Sequence, residues 1–201
     1  MKKVLLVVCC FLVLVSVASG IWATRATNIQ QSSQSVDTGT ISLAPGLTMQ
    51  DMVAQSELIV TGRCLSTRSV WIDRSLVTIA TISVGETIKG SEASTVDVVL
   101  PGGADSNRRI PVAMTYPGAP TIQPQEDVFL FLTQAGVIAN SYAVMGFAQG
   151  KFSIVENNQG EKLVSRDLTK VRLQAGAGVV RGNFQTTYLS DFKAKVREYL
   201  R

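Results

Sequence analysis

The sequence contains no histidine. A Ser-His-Asp triad, a Cys-His dyad, a His-ligated zinc or a haem with a proximal histidine therefore cannot be built from this chain alone. Cysteine is almost as scarce, with 3 residues, and Cys9 and Cys10 both lie inside an N-terminal apolar run. Cys64 is thereby left without an intramolecular partner, which excludes a disulfide-stapled fold; it is expected to pack as a small buried hydrophobe, the alternative being an intermolecular or reactive thiol. Charged residues make up only 17% of the chain, against roughly a quarter in an ordinary soluble domain. Aromatics are held to 6%. So few rings do not furnish a stacking platform for bases, so no nucleic-acid partner is expected. Phe129, Phe131, Phe147 and Phe152 sit in apolar stretches and read as core.

What the chain does have begins at its N-terminus. Met1-Lys2-Lys3 precedes an apolar stretch from Val4 to Val17, and Ala18-Ser19-Gly20 follows. Two positive charges, a short hydrophobic run and small residues are the parts of a secretory signal, with cleavage expected after Gly20. The expected location is the periplasm or outside the cell. If the segment is kept, the run to Ala23 is about 20 residues long and is the one membrane contact the sequence offers. Residues 21–44 are polar and poor in large apolar side chains, and are expected to form a flexible leader. Residues 45–201 suffice for one domain with a full core. Charge is uneven: residues 4–160 carry 8 basic and 11 acidic side chains, and residues 161–201 carry 9 and 4. The basic end is read as a solvated helix face, because no long run of like charge occurs, the alternative being contact with an anionic envelope surface or a polyanion.

Within the domain, Thr48 followed three residues later by Asp51 predicts a helix start, with Met49, Met52 and Val53 on one face and an end near Ser56. The pattern then turns to strands. Residues 58–65, 76–88, 95–100, 128–133, 138–145 and 151–155 are β-branched or alternating, and 162–164 is expected as a short edge strand. Gly85 is expected to mark a bulge, and residues 72–75 a hairpin turn. The segment 128–133 is apolar on both faces and so is placed centrally. Six or seven short strands at this spacing predict an all-β, mainly antiparallel fold, a barrel with a short N-terminal helix and a C-terminal helix over 190–200. Ser190 is expected to cap that last helix, with Phe192, Val196, Tyr199 and Leu200 on its apolar stripe. Residues 175–186 are glycine-rich and read as loop.

The segment from Pro101 to Pro124 holds five of the 6 prolines. A connection of that length inside a compact domain is unusual and is commonly functional. It carries Arg108, Arg109 and Tyr116. With Trp71, these are the candidate contact residues, because aromatic and arginine side chains carry a disproportionate share of binding energy. The alternative is a packing flap over one barrel mouth.

Catalytic and metal motifs are incomplete. Gly85–Gly90 has the glycine spacing of a phosphate loop, but Ser91-Glu92 follow where lysine is needed. Ser190 and Lys193 form a Ser-x-x-Lys without its companion motifs. Glu126 and Asp127 are adjacent before a strand, so their side chains diverge. Glu156–Asn158 lacks the ligand pattern of a calcium loop. No catalytic residue, metal or cofactor is expected.

The stretches Asp51–Arg63, Ser69–Trp71, Val84–Gly90, Pro101–Gly103 and Val144–Phe152 together resemble a group of uncharacterised exported bacterial proteins. The first half is also similar to the tissue-inhibitor and netrin-type barrel, of the OB-like class. The resemblance implies an exported OB-like barrel. Metalloprotease inhibition does not follow, since the disulfides and N-terminal cysteine of those inhibitors are missing. The expected function is an exported, non-catalytic binding or envelope-associated protein, contacting a protein or envelope component through Trp71, Arg108, Arg109 and Tyr116. Two alternatives are a structural or assembly subunit and an envelope hydrolase using carboxylates or Ser190 and Lys193.

Overall fold

Helix α1 (Met49–Gln55) starts where a capping box dictates. The Thr48 hydroxyl accepts from the Asp51 N–H at 3.1 Å, and the Asp51 carboxylate accepts from the Thr48 N–H at 2.9 Å. Met52 and Val53 are buried beneath it. The computed structural model describes residues 42–175, 178–181 and 185–201. The expected signal at 1–20 and most of the expected leader lie outside the described residues.

Strands β2 (Leu58–Ile72) and β3 (Ser75–Lys89) form one long hairpin around Asp73-Arg74. Asp73 sits at φ 52, a left-handed conformation that its short polar side chain tolerates. The register slips three times. Thr61 faces Glu86 and Gly62 faces Val84, so Gly85 is the extra residue of a bulge, as its position in the sequence suggested. Such bulges bend the hairpin, so different parts of β2 meet different neighbours.

Strands β4 (Thr95–Pro101), β7 (Asp127–Gln134) and β8 (Ser141–Val144) complete a closed circuit of hydrogen-bonded pairs. β2 pairs with β3, β3 with β4, β4 in parallel with β8, β8 with β7, and β7 with the first half of β2. The fold is all-β and dominated by antiparallel pairs, with a helix near each end of the described chain. Side chains packed together by this circuit are aliphatic: Leu58, Val60, Ile82, Val98, Leu130 and Leu132 among them. Cys64 is fully buried in the same cluster, and that burial pushes its thiol pKa up.

Strand β7 is buried on both faces because it belongs to two cores. Its first half also pairs with β9 (Lys151–Glu156), which continues to β10 (Lys162–Ser165) and β13 (Thr187–Tyr188). Against this extension pack α1 and α2 (Leu189–Glu198). Phe129, Phe131, Phe152 and Phe192 meet there, with ring centroids 4.7 to 6.5 Å apart and mostly tilted or edge-on. The Arg166 guanidinium lies 5.0 Å from the Phe152 ring centroid and donates to the Gln149 carbonyl at 2.9 Å. Burial pulls the Arg166 pKa down to about 10.

Several expectations need correction. Residues 42–44 are not leader: β1 (Ser42–Pro45) pairs in parallel with β11 (Val171–Ala175), which pairs in turn with β12 (Gly178–Arg181). The glycine-rich segment 175–186 therefore holds a strand. β10 is not an edge, because β13 covers it. Helix α2 begins at Leu189 rather than Ser190. Tyr188 turns out of β13 straight into the helix, and the Ser190 hydroxyl bonds to Asp191 at 3.2 Å. Phe192 and Val196 are buried, whereas Tyr199 and Leu200 lie past the helix end and are exposed. Phe147 is not in a strand; it sits half-buried in the turn after β8 at φ 67.

Candidate binding site

The proline-rich segment is not a bare loop. It folds a small hairpin, β5 (Gly103–Asp105) and β6 (Val112–Met114), over β2 and β3. Two glycines permit the close approach. Gly102 sits at φ +90, and a Cβ there would come within 2.6 Å of the Met114 carbonyl oxygen. A Cβ on Gly103 would meet the Ser69 Oγ at 2.7 Å. Hydroxyls then take the place of a strand partner: Ser69 Oγ accepts from the Ala104 N–H at 3.0 Å, and Thr78 Oγ1 donates to the Gly102 carbonyl at 2.8 Å.

At the outer end of the hairpin, Asp105 gathers Trp71 and Arg108. Trp71 Nε1 donates to Asp105 Oδ2 at 2.7 Å, and Arg108 Nε donates to the same oxygen at 3.1 Å. The Asn107 N–H donates to Oδ1 at 3.1 Å. The Arg108 guanidinium lies 4.4 Å from the Trp71 ring centroid, a cation–π stack in which the arginine side chain is exposed and the indole partly buried. The Trp71 hydrogen bond, followed by those from Asn107 and Arg108, holds the Asp105 carboxyl below its ordinary value of 3.8. Arg109 and Ile110 follow at the tip, and Ile110 is 67% exposed.

Tyr116 stands apart from this cluster. It opens a turn through Pro117 and Gly118, closed by the Ala119 N–H on the Tyr116 carbonyl at 3.0 Å, with Gly118 at φ +70. Proline second and a left-handed glycine third is the arrangement a type II turn requires. Tyr116 and Pro120 border two clefts. One, of about 420 Å³, lies between β2 and residues 121–123 under the small hairpin. The other, of about 250 Å³, is apolar and is walled by Leu76, Val99, Val137, Val144 and Phe147.

Of the four residues singled out by sequence, Trp71 and Arg108 are brought into contact, Arg109 is their exposed neighbour, and Tyr116 marks the cleft border. Asp105 was missed as their common acceptor, since its role depends on a strand 34 residues away. The wall residues Thr67, Arg68 and Ser69 were also missed; alternating hydroxyls at the end of a long strand were the available signal.

The other clusters are already committed. Lys193 Nζ donates to Glu86 Oε2, and Arg197 binds the other oxygen of Glu86, so the Lys193 ammonium is engaged with a carboxylate of β3. Lys151 lies 2.7 Å from Ser153 Oγ, but its ammonium is paired with Glu126 at 2.5 Å. Burial pushes the Glu126 carboxyl up, yet hydrogen bonds from Lys151, the Gln123 N–H and Ser153 outweigh it and hold the pKa below its ordinary value. Asp127 turns the other way, to a bidentate pair with Arg63 at 2.6 and 2.8 Å. Among the described residues no group of three or more His, Cys, Asp or Glu is placed to hold a metal ion. Among them, too, no helix is long and apolar enough to cross a membrane. No protein-family model matches the chain, and no curated protein matches it in sequence.

Proposed function

We propose that the chain is an exported, non-catalytic binding module built on an OB-like barrel, and that it grips a protein or envelope component through the 101–124 segment. The observation that carries this reading is the Trp71–Asp105–Arg108 assembly beside an open cleft. An indole and a guanidinium are fixed in place before any partner arrives, which lowers the ordering cost of binding. Arg109 and Ile110 extend this surface with a charge and an exposed apolar side chain, and Tyr116 adds an aromatic at the border of the cleft. The circuit β2-β3-β4-β8-β7, with its single parallel pair, supports the OB-like assignment. The pairing of Lys193 with Glu86 favours recognition over hydrolysis, because it occupies the base that Ser190 would need.

The test is affinity capture from an envelope and secreted fraction with wild type and an Arg108→Ala/Arg109→Ala/Tyr116→Ala variant of matched thermal stability. Wild type is expected to retain a defined partner that the variant loses. Equal recovery by both would place recognition elsewhere.

A further inference from the structure

We infer that the larger cleft takes an extended peptide as an added strand on the edge of β2, with a carboxylate of that peptide on Arg68. This rests on the binding-module reading and gives the partner a chemistry. β2 pairs with β7 only over Leu58–Arg63. Beyond it, the Cys64 N–H donates to the Glu126 carbonyl at 2.9 Å, and the Gln125 N–H donates to the Cys64 carbonyl at 2.8 Å. Those are the last backbone bonds on that side of β2 among the described residues. The two chains then part, and the 420 Å³ cleft opens in the fork, with Thr67, Arg68 and Ser69 on one wall and Thr121, Ile122 and Gln123 on the other.

The open wall carries strand-pairing groups. The Gly102 N–H donates to the Leu76 carbonyl at 3.1 Å, so the Leu76 carbonyl points toward β4 and away from β2. Trp71 is the residue opposite Leu76. In an antiparallel pair, two opposed residues either exchange both hydrogen bonds or turn both backbones outward, and the two cases alternate. No register shift intervenes between Ser66 and Ile72. Ser69 and Thr67 therefore direct their N–H and C=O groups outward as well. An extended chain laid there gains main-chain bonds, and Gly103, Ala104 and Ala113 leave room above it for its alternate side chains.

Charge selects among such chains. Arg68 is the one charged residue on the cleft wall, and no carboxylate lines it. Arg68 is exposed and has no ion-pair partner among the described residues. A neutral peptide leaves that cation unused, whereas an Asp, a Glu or a terminal carboxylate engages it through a charge-assisted bond. The apolar neighbouring cleft offers neither the strand edge nor the charge.

The experiment selects displayed random short peptides on the full chain and then synthesises those recovered. They are expected to carry an acidic group at a fixed position. Arg68→Ala should weaken their binding about tenfold, and N-methylation of alternate peptide nitrogens should do so by about as much. Amide exchange at Thr67 and Ser69 should slow on binding. Recovery of no peptide, indifference to N-methylation, or unchanged or tighter binding by Arg68→Ala overturns strand addition; the last result would mark Arg68 as a guard of the edge. Each of those failures leaves the wider reading standing if partner capture is still lost with Arg108, Arg109 and Tyr116 truncated. Equal capture by that variant would sink the wider reading instead.

Discussion

Two flanks of the same sheet are covered by different materials. Behind the first half of β7, four phenylalanines and two helices fill the space, and the rings touch one another in pairs. Beside the outer half of β2, the cover is a hairpin with two strands of three residues each, hung on Ser69, Thr78 and Trp71. Large rings fill space by contact area and leave no gap, so that flank supplies stability. Glycine, serine and threonine hold a cover by a few directed bonds and leave volume between them, so that flank supplies a cleft. The contrast separates what keeps the fold together from what is available to a partner.

Breaking the aromatic flank should cost most. Phe129→Ala is expected to lose about 3–5 kcal/mol in chemical denaturation, the range for a fully buried ring. A loss below about 1 kcal/mol would mean the four-ring cluster is not the stabilising core it resembles. On the other flank, Gly102→Ala forces a side chain into a left-handed backbone against the Met114 carbonyl, and about 1–3 kcal/mol should be lost. That loss should come with displacement of the hairpin, read as altered Trp71 fluorescence in a Trp22→Phe background, while the aromatic cluster keeps its packing.

A third experiment sharpens the comparison without unfolding anything. The Asp105 carboxyl is held below 3.8 mainly by the Trp71 indole. A carboxylate with a lowered folded-state pKa contributes stability that is fully present above its ordinary value and is lost as pH falls through the lowered one. The tie between Trp71 and the hairpin should thus be intact at neutral pH and should release only below 3.8. Trp71 fluorescence should follow that acid transition in wild type and lose it in Asp105→Asn. The smallest effect is expected from Arg63→Ala, which removes a partly exposed ion pair at the start of β7 and should cost no more than about 1 kcal/mol in chemical denaturation.

Local features were legible in the sequence. The Thr48–Asp51 box, the Gly85 bulge and the doubly apolar β7 each follow from neighbours within a few residues. Features that depend on distant partners were not. Ser42–Pro45 has no strand pattern of its own and becomes one only against Val171–Gln174. β5 and β6 are three residues each, too short to register as alternation, and their hydrogen-bond partners are side chains of β2 and β3. Asp105 looked like an ordinary loop acid because nothing nearby in sequence names Trp71 as its donor. The same limit hid the open edge of β2, since an unpaired strand differs from a paired one only by what fails to lie beside it.

The parallel match of Ser42–Pro45 with Val171–Gln174 also sets an order of events. A nascent chain emerges with residue 42 long before residue 174, so its first strand must wait, unseated, until nearly all of the remainder has appeared. Closure of the five-strand circuit waits in the same way for residues 141–143 to reach 97–99. Assembly dominated by such distant matches is slow. Refolding should accordingly lag well behind that of a helical protein of equal length, and a chain cut before Val171 should leave the Ser42–Pro45 segment with nothing to zip onto.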